Sequence, residues 1–256
     1  MRLLVSVRNP DEIEAALDGG ADIIDAKDPG KGALGPVTGD VLAAIDRRVP
    51  LGMPMSAALG DAQSADAVRF DVAGLELRRR DTLYLKLGVS LGREGPDRLC
   101  VLLAAVNACA SHPASPRFVG VAYADQLSGP TGLELLEGAR EAGVAAMLLD
   151  TAAKDGRSLL DCWGEMLLRT WVQVGRAAGL EMALAGSIGL RQLGRVVALE
   201  PDIIGIRGAA CAGGRLGAVE AGRVAALKSF LPPEPATNAA KHEPAPGSLS
   251  PPSILK

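Results

Sequence analysis

Three lysines in this sequence lie next to apolar stretches, in a chain whose basic residues are mostly arginine. Only seven of the 27 basic residues are lysine, and Lys27, Lys86 and Lys154 each lie at or just after the end of an apolar run. Arginine keeps its proton, whereas lysine can lose it, and only a neutral amine attacks a carbonyl carbon. A single such lysine would more often be a salt-bridged loop residue. Three at equivalent places predict a site that forms a Schiff base with an aldehyde or ketone.

Two carboxylates accompany these lysines. Asp25 precedes Lys27 by two residues, so the alternation of a β-strand directs both side chains to the same face. Asp150 precedes Lys154 by four residues. We expect both carboxylates to move protons or to orient the amines. Repulsion from a second lysine and burial would both favour a neutral lysine amine, whereas attraction to Asp25 would favour the charged form. A neutral and a charged amine are both compatible with the sequence.

Glycine-rich segments after two later apolar runs indicate a phosphate-binding site. Backbone N–H groups beside glycine can approach a phosphate closely, and arginine adds charge-assisted hydrogen bonds. The alternative for each glycine is an ordinary turn. The residues expected to bind phosphate are Gly186, Ser187, Arg207, Gly208, Gly213 and Gly214. Together with the lysines they predict a phosphorylated carbonyl compound as the substrate.

Short apolar runs alternate with amphipathic helical patterns along the chain. Continuous apolar runs are typical of parallel strands buried on both faces. The predicted strands are residues 3–7, 22–26, 51–56, 82–87, 118–124, 145–149, 182–185 and 203–206. Eight strand–helix units predict one (β/α)₈ TIM barrel, in which catalytic residues lie at the carboxyl ends of the strands. The alternative is an open doubly wound sheet, but no G-x-G-x-x-G motif follows the first predicted strand.

Two helix starts can be read directly from the sequence. Residues 9–12 predict an N-cap, a first-turn proline and first-turn acids, and the glycines at 19–20 end that helix. Ser158 and Asp161 predict the start of a later helix. The residues expected to share its apolar face are Leu159, Cys162, Trp163, Met166 and Leu167.

The composition excludes several classes of function. The formal charge is −3 and the isoelectric point about 5.5, with two Trp, two Tyr and three Phe, so we expect no nucleic-acid partner. The longest stretch without charged residues, 99–116, contains polar residues and prolines, so we expect no membrane partner. Two histidines exclude a histidine-rich metal site. The four cysteines form no C-x-x-C pair, and we expect free thiols in a cytoplasmic protein.

The C-terminal segment differs from the rest of the chain. Residues 232–256 contain seven of the 17 prolines, mixed with Ala, Ser and Glu. This composition cannot form a packed core. We therefore expect a TIM-barrel catalytic domain at residues 1–231 and a disordered tail at 232–256.

Six segments resemble the (5-formylfuran-3-yl)methyl phosphate synthase family, and the resemblance extends over the chain up to the Pro-rich tail. The segments are DIIDAKDPGKGALG (22–35), YLKLG (84–88), VAYAD (121–125), MLLDTAAKDGRSLLD (147–161), ALAGSI (183–188) and DIIGIRGAACAGGR (202–215). Six motifs in the same order make the resemblance specific.

The resemblance implies a TIM-barrel lyase that condenses two molecules of glyceraldehyde 3-phosphate into a phosphorylated furan aldehyde, with loss of phosphate and water. The product would provide the furan of methanofuran-type cofactors of one-carbon metabolism. The resemblance implies that Lys27 is the Schiff-base lysine and Lys86 the proton acceptor. It implies supporting roles for Asp25, Asp150 and Lys154, and it implies no metal and no organic cofactor.

Two other functions are compatible with the same residues. One is a class I aldolase acting on another sugar phosphate, whose product, unlike a furan, would not absorb in the ultraviolet. The other is a non-catalytic barrel that binds a phosphorylated metabolite, which would still bind its ligand without Lys27. As partners we expect a small-molecule triose phosphate and, as in many barrel enzymes, further copies of the chain in a homo-oligomer.

Overall fold

A closed barrel of parallel β-strands forms the centre of the protein. The structure is a computed structural model and describes residues 1–62, 64–89 and 96–233. Within these residues the strands pair in sequence order, and the last strand pairs with the first. The strands are β1 Arg2–Val7, β2 Ile23–Ala26, β3 Met55–Asp61, β4 Leu83–Gly88, β5 Arg117–Tyr123, β6 Ala146–Asp150, β7 Glu181–Leu184 and β8 Ile203–Ile206. The predicted (β/α)₈ TIM barrel is confirmed.

Helices connect the strands around the outside of the barrel. They are α1 Ile13–Asp18, α2 Gly39–Arg48, α3 Ala65–Ala73, α4 Pro96–Ser111, α5 Gly129–Glu141, α6 Leu159–Cys162, α7 Glu165–Ala177, α8 Leu190–Val197 and α9 Ala221–Lys228. Short 3₁₀ turns at Pro10–Glu12, Pro29–Lys31 and Gly208–Ala210 add to them. The predicted cap at residue 9 is confirmed, because the Asn9 side chain accepts a hydrogen bond from Asp11 N at 3.1 Å.

Strand alternation divides the apolar residues into two clusters. Outward-facing side chains such as Leu3 and Val5 pack beneath the helices in the larger cluster. Inward-facing side chains such as Leu4 and Leu148 form the smaller cluster inside the barrel. Because successive residues point to opposite faces of the sheet, polar residues at inward positions point into the barrel interior or its upper end.

The third strand lies later in the chain than predicted. It spans Met55–Asp61, whereas the sequence pattern predicted residues 51–56. Leu51 and Gly52 form a turn in which Leu51 is half-exposed, and Pro54 has no N–H with which to join a ladder. The prediction counted Leu51 and Met53 as strand residues because they are apolar and underrated the neighbouring glycine and proline.

The helix predicted to start at Ser158 is two helices. Asp161 Oδ2 accepts hydrogen bonds from both N and Oγ of Ser158 at 2.7 Å, which confirms the predicted start. The chain then leaves the helix at Trp163, whose ring is buried against Gly132 and whose Nε1 donates to the Leu127 carbonyl at 3.2 Å. A new helix, α7, follows, and its Met166 is 83% exposed, so a single apolar face through Met166 was wrong.

The amino-terminal end of the barrel is closed by a polar cluster around Tyr84. The Tyr84 hydroxyl donates to Glu181 at 2.7 Å and accepts a hydrogen bond from Arg2 at 3.1 Å. Arg2 also forms an ion pair with Glu181, and the Arg117 guanidinium lies 5.3 Å from the centre of the Tyr84 ring. These contacts from β1, β4, β5 and β7 seal this end, so the barrel opens at its carboxyl end.

The described chain ends shortly after α9. The predicted disordered tail, residues 232–256, lies outside the described residues from residue 234 onward, and the domain boundary at 231 stays a prediction. In the part of the chain that the structure describes, no helix is both long enough and apolar enough to span a membrane.

A buried ion pair fastens the end of β8 to the segment after β1. The Arg207 guanidinium binds both carboxylate oxygens of Glu12, and both side chains are about 5% exposed. Arg207 also donates to the Ser6 carbonyl at 2.9 Å. Removing one member of such a pair leaves the other charge buried without compensation.

We expect Glu12→Ala to lower the free energy of unfolding by about 3–5 kcal/mol, because it leaves the Arg207 guanidinium uncompensated. Urea unfolding followed by circular dichroism measures this. The matched control is Glu14→Ala, whose carboxylate is 74% exposed beside Arg48 and whose loss should cost no more than about 0.5 kcal/mol. Equal losses in the two variants would contradict a stabilising role for the Glu12–Arg207 pair.

Candidate active site

A cavity of about 320 Å³ opens at the carboxyl ends of the strands and continues into the barrel. Lys27, Lys86, Lys154 and Asp150 line it. Functional sites of TIM barrels lie at this end because the loops that follow all the strands meet there. The structure therefore brings together the three lysines that the sequence analysis selected.

The Asp25 carboxylate lies at the centre of a buried polar group. It has no exposed surface, and its Oδ1 lies 2.7 Å from Lys86 Nζ and accepts a hydrogen bond from Ser56 at 2.6 Å. Its Oδ2 accepts a hydrogen bond from Ser6 at 2.7 Å. Burial alone would raise the pKa of Asp25, but attraction to Lys86 and Lys27 and the hydrogen bonds hold it below its ordinary value. Asp25 is therefore an ionised carboxylate paired with Lys86.

A second lysine–carboxylate pair forms at the end of β6. Lys154 Nζ lies 3.0 Å from Asp150 Oδ1 and donates to the Thr151 carbonyl at 2.6 Å. Burial would raise the pKa of Asp150, but attraction to Lys154 and Lys27, with a hydrogen bond from Thr151 N, lowers it. Asp125 holds this loop in place, because its carboxylate accepts hydrogen bonds from two successive backbone N–H groups, those of Ala152 and Ala153.

Lys27 differs from the other two lysines in having no paired carboxylate. It follows β2 directly, and its backbone N–H donates to the Val7 carbonyl at 2.9 Å. No ion pair of its amine is found among the described residues. Burial, opposed by attraction to Asp150 and Asp25 and reinforced by repulsion from Lys86 and Lys154, lowers the pKa of Lys27 to about 8. At pH 7 about one-tenth of this amine is therefore neutral, far more than at the ordinary pKa of lysine, and only the neutral form can act as a nucleophile.

The loop after β7 is shaped for a close backbone approach. Gly186 has φ = 105°, and a Cβ at this position would lie 3.1 Å from Thr151 N. Ser187 also has a positive φ, 52°. Within the described chain, no acceptor is found for the backbone N–H groups of Ser187 and Gly208, which both line the cavity. These loops therefore offer free backbone donors at the cavity mouth, as a bound phosphate needs.

The remaining residues predicted to bind phosphate either have other partners or lie outside the cavity lining. Arg207 lines the cavity, but its guanidinium donates to Glu12 and to the carbonyls of Ser6, Gly217 and Arg215, so it holds the β8 loop in place. Gly213 and Gly214 have φ of 70° and 86° and form an exposed turn outside the residues that line the cavity. The structure does not bring these two glycines to the lysines.

Several residues at the site were missed by the sequence analysis. Ser6 and Ser56 are small polar residues at inward positions of buried strands, and strand alternation could have found them. Arg215 lines the cavity, and its Nη2 donates to the Pro29 and Gly32 carbonyls at 2.8 and 3.0 Å. It belongs to the predicted phosphate loop, yet the prediction named Arg207 in its place. Asp125 ends the VAYAD motif after β5, but its hydrogen bonds to Ala152 N and Ala153 N depend on folding of the next loop and could not be read from the sequence.

The described residues contain no group of three or more His, Cys, Asp or Glu side chains arranged to bind a metal ion. Among the described residues, the charged groups nearest the cavity centre are instead the amines of three lysines and the carboxylates of Asp25 and Asp150, and two arginines line the same cavity. Such a set can form an imine, protonate a leaving oxygen and accept a proton from carbon.

Comparison with solved structures shows the fold. The chain is similar to 3-hexulose-6-phosphate synthase from Salmonella typhimurium, with a TM-score of 0.62 and 18% identity, covering 90% of this chain and 100% of that one. It is also similar to phosphoribosyl anthranilate isomerase from Thermus thermophilus, with a TM-score of 0.60, 18% identity and coverage of 90% and 98%. Both similarities concern the barrel alone.

Comparison of sequences shows the family. The (5-formylfuran-3-yl)methyl phosphate synthase of Methanococcus maripaludis is 35% identical over 217 residues, which is 84% of this chain and 91% of that protein. The enzyme of the same name from Methanothermobacter thermautotrophicus is 34% identical over 236 residues, which is 90% of this chain and 99% of that protein. The sequence model of 4-HFC-P synthase matches residues 3–228, which include β2 to β8, all of β1 except its first residue, and both lysine–carboxylate pairs. The chain therefore belongs to the 4-HFC-P synthase family.

Proposed function

We propose that this enzyme joins two molecules of glyceraldehyde 3-phosphate into (5-formylfuran-3-yl)methyl phosphate through an imine on Lys27. The atoms balance when one phosphate and two waters are released. The observation that carries the proposal is the environment of Lys27, an amine of lowered pKa held between two lysine–carboxylate pairs in one cavity. The names of the relatives supply the product, and the resemblance supplies the triose phosphate.

In the first step the neutral Lys27 amine attacks the aldehyde carbon of one triose phosphate. The carbinolamine hydroxyl then leaves as water, with a proton from the Lys86 ammonium group. Lys27 becomes the protonated imine, and Lys86 becomes a neutral amine. This order explains how Lys86, which begins as the partner of Asp25 at 2.7 Å, can later accept a proton.

In the second step Lys86 takes a proton from the carbon next to the imine. The electrons of that C–H bond form an enamine, and the enamine expels phosphate from the following carbon with cleavage of the C–O bond. Lys86 returns to its charged state beside Asp25. An ionised Asp25 favours this return, because it stabilises the ammonium group.

The second triose phosphate shifts a proton from C2 to C1 and becomes a ketone, and the terminal carbon of the bound three-carbon unit forms a C–C bond to that ketone carbon. The C1 hydroxyl of the second triose then attacks C2 of the bound unit to close the ring, two hydroxyl groups leave as water, and hydrolysis of the imine frees Lys27. We propose that Lys154, paired with Asp150, donates the proton with which each hydroxyl leaves as water and then takes a proton from the neighbouring carbon, because this pair lines the cavity beside Lys27. We place the phosphate that is retained at the N–H groups of Ser187 and Gly208, next to the side chain of Arg215. Gly186 permits this approach through its backbone conformation, and Arg207 keeps the loop in position.

We expect Lys27→Arg to lower turnover by more than about 10³-fold, because the guanidinium keeps the charge but cannot act as a nucleophile. Borohydride reduction in the presence of glyceraldehyde 3-phosphate, followed by peptide mass mapping, should place the adduct on Lys27 in the unmodified chain and give none in the variant. The matched control is Lys31→Ala, since Lys31 lies in the same loop with a half-exposed side chain. An adduct on Lys86 or Lys154 would reverse the assigned roles, and a product without ultraviolet absorbance would favour an aldolase.

We expect kcat/KM to increase with pH and to reach half of its maximum at about pH 8, because the pKa of Lys27 is lowered to about 8 and only its neutral amine reacts. Asp150→Asn removes the strongest attraction that raises the pKa of Lys27, so the rising limb of the plot of kcat/KM against pH should move to lower pH. Asp155→Asn, an exposed change in the same loop, should leave it in place. A limb that stays at the same pH in Asp150→Asn would contradict the assignment of the titration to Lys27.

A further inference from the structure

The cavity continues below the lysines as a space that we call the apolar chamber. Its walls are Leu4, Val119, Ala146, Leu148, Ala183 and Ile203. Five of these side chains lie inside the barrel yet keep 4–7% of their surface accessible, whereas the outward-facing Leu3, Val5 and Ile204 keep none. The accessible surface inside the barrel is therefore the wall of an open space.

The chamber exists because small residues occupy inward positions on three neighbouring strands. TIM-barrel interiors are commonly filled by bulky branched side chains. Here β6 and β7 contribute Ala146 and Ala183 at such positions, β8 contributes Gly205, and Ala185 follows β7. Gly205 has no positive φ, and a Cβ there would lie 3.2 Å from Ala185 Cβ, 3.7 Å from Leu4 Cδ2 and 4.0 Å from the Leu184 carbonyl oxygen. Glycine at this position therefore permits close packing against Ala185 and is not required by the backbone conformation.

The chamber has one polar end and one closed end. At its upper end are Ser6, Ser56 and Lys86, which surround the Asp25 carboxylate. At its lower end is Tyr84, whose hydroxyl is engaged with Glu181. A ligand therefore enters from the lysines and stops at the floor of the barrel.

The walls offer a ligand no hydrogen-bonding side chain. A hydroxyl or phosphate moved from water into such a space loses its hydrogen bonds without replacement, which costs free energy. Glyceraldehyde 3-phosphate has polar groups on every carbon and is poorly suited to it. A flat, apolar ring that has already lost its hydroxyl groups is well suited, because burial of apolar surface is favourable.

We propose that the apolar chamber is the binding site for the furan ring of the dehydrated intermediate and product, a role that rests on the proposed function. Hydroxylated precursors stay at the level of the lysines, and each loss of water makes the carbon skeleton more apolar and better suited to the chamber. The chamber thereby favours the dehydrated species over the hydrated ones. Ala183 is suited to test this preference, because it lies on β7, lines the cavity with a single side-chain carbon and keeps 5% of its surface accessible.

The first experiment measures binding of 2-methylfuran, which has neither a carbonyl group for Lys27 nor a phosphate. Protein-observed NMR titration should show binding to the unmodified chain, weakened at least tenfold in Ala183→Leu because the new side chain fills the chamber. Ala226→Leu makes the same change at an exposed position of α9 and should bind as the unmodified chain does. Thermal unfolding checks that each variant is folded, and Ala183→Val replaces the leucine variant if that one does not fold.

The second experiment measures turnover of glyceraldehyde 3-phosphate in the same variants. Ala183→Leu should keep the borohydride-trapped adduct on Lys27 but form the ultraviolet-absorbing product at least tenfold more slowly. Two results would overturn the assignment of the chamber to the furan ring and leave the proposed function intact. One is equal binding of 2-methylfuran by the unmodified chain and by Ala183→Leu, and the other is an undiminished rate of product formation in Ala183→Leu. If the unmodified chain forms no furan product, the proposed function is overturned. The assignment of the chamber to the furan ring is then overturned as well, even if 2-methylfuran binds.

Discussion

A carboxylate sealed inside the barrel determines how the rest of the site is arranged. Asp25 has no contact with solvent, so its charge has to be balanced by neighbouring side chains. Ser6, Ser56 and Lys86 supply this balance, and with Asp25 they come from four consecutive strands. The register places Ser6 beside Asp25 and Asp25 beside Ser56. A shift by one residue in any of these strands would turn a partner away from the barrel interior.

The same balance leaves one amine unpaired. Lys86 and Lys154 each face a carboxylate, whereas Lys27 feels both carboxylates and both lysines at longer range. Burial is then the dominant influence on Lys27, and it lowers the pKa of that amine. Placement alone thus gives three chemically identical side chains different surroundings, two that pair with a carboxylate and one whose pKa is lowered by burial. A buried lysine–carboxylate pair is weak evidence for added stability, and its position here is better explained by chemistry.

The sequence predicts features that depend on periodicity and composition. The strand–helix repeat predicts the barrel because every unit carries the same pattern, and the scarcity of lysine singles out Lys27, Lys86 and Lys154. The start of β3 is mispredicted because apolar residues also occur in the turn at Leu51. The role of Arg207 could not be predicted, since its partner Glu12 lies 195 residues away in the chain. The open space inside the barrel likewise depends on side chains from several strands, and no local pattern encodes it.

The ion pair that joins the end of β8 to the segment after β1 also affects the chain before folding is complete. Contacts between residues so far apart form late, because closing a long loop costs conformational entropy before the contact is made. Until β8 has joined β1, the barrel has an open side, and solvent reaches Lys27 through it. In that state the Lys27 amine lacks the burial that lowers its pKa and stays protonated. Completion of the wall by the last strand gives Lys27 the burial on which its lowered pKa depends, so this property of the amine belongs to the closed barrel as a whole.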